Sequence, residues 1–142
     1  MSTLTIDQAR TIIRVGHEKG TAEGMNPLAI LVLDAGGHPM AFERQDGTPF
    51  GRFDVAFGKA RGALAMGVSS RVLGNMALDR PHFMNGLVGA TGGAIVPVPG
   101  GVIVTDSDGN HLGAVGISGD SSDNDELCAV AGIEAAGLTA GV

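Results

Sequence analysis

The glycine content constrains the fold of this chain more than any other feature. The 142 residues include 24 glycines and neither tryptophan nor tyrosine, so the interior must be built from small and aliphatic side chains. Such an interior predicts that segments of backbone approach one another closely. The length is typical of one domain with its own core, and we expect a single domain over residues 1–142.

The first third of the chain predicts a helix followed by a β-hairpin. Thr5 and Gln8 have the spacing of a capping box, which predicts a helix from Thr5 that fades near Gly20. The apolar segment 28–33, a turn and the segment 38–44 then indicate two paired strands. Simple alternation places four residues on one face of the second strand: His38, Met40, Phe42 and Arg44.

The middle of the chain predicts two helices and then irregular structure. The first helix has an apolar stripe formed by Phe53, Phe57, Ala60 and Leu64, with Lys59 off the stripe. A shorter helix is expected to begin at Ser69 or Ser70 and to end before Pro81. Residues 86–101 are rich in glycine and proline, and they predict irregular chain around a short strand at Ile95–Val98.

The last third predicts a second hairpin and a final helix. Segments 102–105 and 111–118 flank a turn rich in Asp and Gly, and the helix is expected over Asp123–Ala136. The residues expected to form its packing face are Leu127, Val130, Ala131 and Leu138. The order of elements therefore predicts an α+β fold: an α/β/α layered sandwich with a mainly antiparallel sheet of about five strands flanked by helices.

The junction Gly119–Glu126 is the first candidate site, because it combines a helix start with several carboxylates. Asp125 and Glu126 are candidate acids or bases, with Lys59 or Arg44 to hold an anionic substrate group. Two structural alternatives stay open. Asp123 and Glu126 have capping-box spacing, and the cations can simply pair with nearby carboxylates on a solvated face.

The histidines are the second set of candidates. His17 and His38 carry side chains suited to a haem ligand or a proton shuttle, although His82 and His111 do so equally, and an ordinary surface role competes for each. Asp34, in the first hairpin turn, is a further candidate ligand-binding residue.

Charge and cysteine usage narrow the partners and the compartment. A formal charge of −6 without a basic face argues against nucleic acid as a partner. We expect no membrane span and no signal peptide, because no apolar segment has the required length or flanking residues. Cys128 is the only cysteine, which favours a reducing compartment and hence the cytoplasm.

Taken together, several segments make the sequence resemble the GlcG/HbpS-like family, also called the haem-degrading domain family, which includes the C-terminal domain of PduO-type proteins. The segments that carry the resemblance are Val32–Gly37, Phe42–Gly47, Lys59-Ala60, Pro99–Gly101, Gly113–Gly119 and Asp125-Glu126. The chain departs from the family pattern at Gly100–Ile103, where Gly-Gly-x-Pro is frequent, and at Ser118–Asp120, where Ser-Gly-Gly is frequent.

The resemblance implies the layered fold, assembly into dimers or larger rings, and haem binding in some members. It also implies a haem ligand near the end of the first helix, where His17 is the matching position. Our leading hypothesis is a cytoplasmic homo-oligomer that binds haem or a comparable small molecule, with His17 on the iron. The alternatives are a cofactor-independent lyase or isomerase using Asp125, Glu126 and Lys59, and a structural assembly module.

Overall fold

The computed structural model describes residues 2–142, and these form five helices and one antiparallel sheet of five strands. The helices are α1 (Ile6–Ala22), α2 (Arg52–Met66), α3 (Ser70–Asp79), α4 (Pro81–Ala90) and α5 (Ser122–Ala135). The strands are β1 (Ala29–Asp34), β2 (Pro39–Arg44), β3 (Gly101–Thr105), β4 (His111–Ser118) and β5 (Thr139–Gly141), in the spatial order β2-β1-β4-β3-β5.

The helices cover both faces of the sheet, which confirms the predicted α/β/α sandwich. Helices α1 and α5 pack on one face, where Ile12, Ile30 and Ile117 belong to the main core. Helix α2 packs on the other face, against Leu31 and Leu33 of β1. Helices α3 and α4 form a smaller apolar cluster beside α2.

Two glycines show why this interior requires small residues. A Cβ atom on Gly132 of α5 would collide with the backbone carbonyl of Ile12 in α1. A Cβ atom on Gly116 of β4 would likewise collide with the carbonyl of Ala56 in α2. The glycines therefore allow helix-to-helix and helix-to-sheet contacts that any larger residue would push apart.

Local signals in the sequence predicted most element starts. Thr5 and Gln8 form the complete capping box of α1, and the Ser69 hydroxyl accepts a hydrogen bond from the Val72 N–H at the start of α3. Both predicted hairpins are present, with β1 paired to β2 and β3 paired to β4.

Two predictions of secondary structure are wrong, namely irregular chain from residue 86 and a strand at Ile95–Val98. Residues 81–90 are helical because Pro81 occupies the first turn of a new helix, where its missing N–H costs nothing. Ile95–Val98 is not a strand, because Ile95 and Val96 pack over Gly62 and Gly58 of α2 and Val96 N–H donates to Gly58 O. The fifth strand is instead β5, which pairs with β3.

Two predicted faces are also wrong. The pairing of β1 with β2 shifts between Val32 and Leu33, so Met40 packs against the α1/α5 core while Phe42 meets Phe53 of α2. Helix α5 packs through a different set of residues from the predicted face, and Leu127 is 53% exposed. The buried residues of α5 are Asp125, Cys128, Ala129, Gly132 and Ile133.

Candidate functional site

The predicted site residues do not converge on one cavity. Lys59 and Asp125 form a buried pair, and Glu126, which follows Asp125 in sequence, has a largely buried side chain that is 15% exposed. The remaining candidates line three separate clefts: His17 in the first, His38 with Asp34 in the second, and Arg44 in the third.

The buried pair links α2 to α5 next to the C-terminal end of β4. Lys59 Nζ donates to Asp125 Oδ2 at 3.0 Å and to the carbonyl of Ile117 at 2.9 Å. Asp125 Oδ1 accepts a third hydrogen bond, from the Asp120 N–H at 3.0 Å. The two side chains are 2% and 1% exposed, so the placement of Lys59 on a solvated face is wrong.

Burial dominates the acid–base properties of this pair. Removal from water raises the pKa of Asp125 and lowers the pKa of Lys59, and the opposite charge of each partner offsets this only in part. Each group makes two hydrogen bonds to protein atoms: Lys59 Nζ donates to Asp125 and Ile117, and Asp125 accepts from Lys59 and Asp120. The arrangement is that of a structural link between two helices and a strand.

The acidic start of α5 binds another helix and does not cap its own. Ser121 is the N-cap, and its hydroxyl accepts a hydrogen bond from the Asn124 N–H, so the predicted capping box of Asp123 and Glu126 is wrong. Both carboxylates contact Arg71 of α3, which binds Glu126 through two hydrogen bonds of 3.1 Å. These contacts raise the pKa of Arg71. Arg71 was missed because its partners are more than 50 residues away in sequence.

Asp34 and His38 lie at the turn of the first hairpin, beside a cleft of about 690 Å³. Asp34 Oδ1 accepts hydrogen bonds from the N–H groups of Gly36 and His38, and the His38 N–H bond in particular lowers the pKa of Asp34. The carboxylate is thus occupied by the turn itself. The His38 side chain is 80% exposed and borders mainly apolar neighbours, including Leu4 and Leu112.

Arg44 ends β2 on the surface of the molecule. It lines a shallow cleft together with Gln45 and Pro27. None of the other candidate acids, bases or histidines belongs to the described lining of this cleft.

His17 lies in a cleft of about 740 Å³ between α1 and the edge strand β2. Helix α1 buries Ile12, Ile13 and Gly16 against the core, and this orientation leaves His17 at the flank of the helix. On β2, Glu43 pairs with Ile30 of β1 and projects to the same side as His17. Arg10 and Arg14 of α1 also line the cleft.

The His17 imidazole is buried without a hydrogen bond. Among the residues that the structure describes, neither Nδ1 nor Nε2 has a hydrogen-bond partner, although the side chain is only 12% exposed. Glu43 Oε1 lies 3.6 Å from Nε2, beyond hydrogen-bond range. Gln45 also lies near the ring, but its side-chain oxygen accepts from the Leu28 N–H at 2.7 Å.

Burial also sets the charge state of this imidazole. It lowers the pKa of His17 below its usual 6.5, and the nearby Glu43 carboxylate and the Gln45 side chain offset this effect in part. His17 is therefore neutral at pH 7 and keeps a ring nitrogen with a free lone pair. Buried polar atoms of this kind cost about 1–3 kcal/mol unless something satisfies them.

The described part of the chain contains neither a metal-binding cluster nor a membrane-spanning helix. Within residues 2–142, no three His, Cys, Asp or Glu side chains come together in a way that would hold a metal ion. No helix in the same range has the length and apolar character to cross a membrane.

Comparison with known proteins assigns the family. A family model described as haem-degrading protein HbpS-like matches residues 4–134. The chain belongs to the HbpS-like family. No curated protein sequence matches it with significant similarity.

Solved structures share the fold of this HbpS-like chain along almost its whole length. A PduOC:haem complex is 25% identical, with a TM-score of 0.86 over 96% of this chain and 97% of the other. Protein ORFY of Klebsiella pneumoniae is 22% identical, with a TM-score of 0.87 over 96% and 92% of the two chains. A double mutant of Streptomyces reticuli HbpS is 24% identical, with a TM-score of 0.79 over 94% and 87%.

Proposed function

We propose that this HbpS-like protein binds haem, or a comparable planar small molecule, and that His17 is the ligand to the iron. The observation that carries the proposal is the buried imidazole with two unsatisfied nitrogens beside an open cleft. Membership of a haem-degrading family and the fold shared with a haem-bound PduOC support it.

The chemistry of His17 fits an iron ligand. Metal coordination requires a deprotonated ring nitrogen, and the lowered pKa of His17 keeps the imidazole neutral at pH 7. Coordination would also satisfy a nitrogen that the protein leaves without a partner. Haem iron, when bound, supplies a centre for electron transfer or for binding a further ligand.

Glu43 lies beside the ring nitrogen Nε2 without blocking it. Its side chain is 67% exposed, and its carboxylate approaches Nε2 without forming a hydrogen bond. A long, exposed side chain of this kind changes rotamer on the picosecond to nanosecond timescale, so it does not hold the cleft closed. Movement of Glu43 away from Nε2 leaves the imidazole facing the cleft.

A haemin titration followed by absorbance in the Soret region tests the proposal. We expect saturable binding by the wild type and loss of most of it in His17→Ala. His38→Ala is the matched control, because it removes an imidazole from a different cleft and should bind like the wild type. An unchanged titration in His17→Ala would remove His17 from the site.

We further propose that the protein is a homo-oligomer, a dimer or a larger ring. Membership of the HbpS-like family supports this, because the resemblance to that family implies assembly into dimers or larger rings. A native mass equal to one 14.3 kDa chain at micromolar concentration would contradict it. The cytoplasm stays our prediction for its location, since Cys128 is unpaired.

A further inference from the structure

The His17 cleft contains two arginines that the iron-ligand proposal does not use. Arg10, Arg14 and His17 follow one another along α1 at intervals of four and three residues, so they lie above one another on one face of the helix. The two guanidinium groups therefore line the cleft on the N-terminal side of the imidazole.

Within residues 2–142, each arginine makes one weak, exposed ion pair. Arg10 Nη1 lies 3.8 Å from Asp7, and the two side chains are 72% and 92% exposed. Arg14 Nη1 lies 3.1 Å from Glu18, and both side chains are 61% exposed. Pairs this exposed contribute little to stability, so either arginine can exchange its carboxylate for one carried by a ligand.

The other charged groups that line the cleft are carboxylates, so binding of an acidic ligand requires the positive charge of these two arginines. Asp7, Glu18 and Glu43 place three carboxylates around the opening, and the two guanidinium groups are the only cations in its described lining. Without them an anionic ligand would meet only negative charge. A guanidinium group also presents paired N–H donors that match a carboxylate.

We propose that Arg10 and Arg14 select the ligand class of the His17 cleft: a planar molecule that carries free carboxylates, as haem does in its two propionates. This inference rests on the proposed function, because it assigns the acidic end of the ligand that His17 binds at the iron. Arg10 and Arg14 are binding residues in this assignment and have no role at the metal.

The test compares haemin with haemin dimethyl ester, which retains the iron and the ring but has no free carboxylate. Affinities are measured by Soret titration for the wild type and for Arg10→Gln/Arg14→Gln. We expect the wild type to prefer haemin by about tenfold, and the variant to prefer it by less than about twofold. The variant should lose affinity for haemin and keep its affinity for the ester.

Lys19→Gln is the matched control. It lies on the same helix, removes one positive charge and breaks a similar exposed pair, that of Lys19 with Glu23 at 3.0 Å, but it does not line the cleft. It should keep the wild-type preference, and far-UV circular dichroism should show that all three proteins are folded.

The outcomes separate the two proposals. Equal wild-type affinity for haemin and its ester would overturn the role of the arginines and leave His17 as the iron ligand. A preference that survives in the double variant would overturn it as well. If the wild type binds neither compound, the proposed function fails and this inference fails with it.

Discussion

The Lys59–Asp125 pair and the His17 cleft contain similar chemical groups but differ in access to solvent and in hydrogen bonding. Both bring a basic side chain close to a carboxylate, and burial shifts the pKa of each basic group downward. Lys59 and Asp125 are sealed inside the protein and hydrogen-bonded to protein atoms. His17 borders an open cleft, and no described residue bonds to its ring.

The two sites differ in whether the protein satisfies its own buried polar groups. An ion pair that is sealed from solvent and bonded to protein atoms has no opening to a ligand, and it links the helices that carry it. A buried imidazole with unused nitrogens lowers stability until something binds it. The unsatisfied imidazole is therefore a better candidate for a ligand-binding group than the buried ion pair.

Breaking the buried pair is expected to have the largest effect. Lys59→Met and Asp125→Leu each leave one charged group buried without its partner, so each should lower the free energy of unfolding by about 3–5 kcal/mol in urea titrations. Arg71→Met is the comparison at a less buried site, since Arg71 is 44% exposed and its partners Asp123 and Glu126 are 76% and 15% exposed. Its loss should cost less than either buried substitution.

The double variant Lys59→Met/Asp125→Leu tests whether the two single losses are independent. Because no buried charge is left without its partner, the double variant should lose well under the sum of the two single losses. Some loss should remain, since leucine is larger than aspartate and the Ile117 carbonyl and the Asp120 N–H lose their side-chain partners. If the two single losses simply add in the double variant, then Lys59 and Asp125 stabilise the fold independently. That result would refute the interpretation that the two side chains act as a pair.

A smaller effect is expected at His17, where the pH dependence of stability tests whether the imidazole is buried. The folded-state pKa of His17 lies below 6.5, so between the two values the unfolded chain binds more protons than the folded one. The wild type should therefore lose stability as the pH falls through this window. His17→Leu should lack this contribution, which is measured as the difference between the two proteins in urea titrations from pH 7 to pH 5. Parallel pH profiles would show that the imidazole titrates normally in the folded protein.

Sequence reasoning succeeded where the signal was local. The capping box at Thr5 and Gln8, the Ser69 cap and the turns of both hairpins all depend on residues within a few positions of one another. It failed where tertiary packing decides. Glycine-mediated packing orients α5, and a register shift in β2 moves Met40 to the opposite face.

The same distinction between local signals and tertiary contacts applies to the candidate site. The sequence singled out His17, but only through a resemblance to relatives, and nothing in the local pattern indicated that its ring would be buried without a partner. The contact of Lys59 with Asp125 spans 66 residues, and Arg71 meets Glu126 across 55. Contacts across such distances depend on how the sheet brings distant segments together, and no short motif predicts them.

The most direct test measures the free energy of unfolding of the wild type and of His17→Leu, each with and without haemin. Without haemin, His17→Leu should be the more stable protein by about 1 kcal/mol, because it removes buried nitrogens that have no partner. With haemin in excess, the order should reverse, since only the wild type gains stability from a ligand bound at the iron. A variant that is less stable without haemin, or that haemin stabilises as much as the wild type, would contradict the assignment of His17 as an unsatisfied group that binds the ligand.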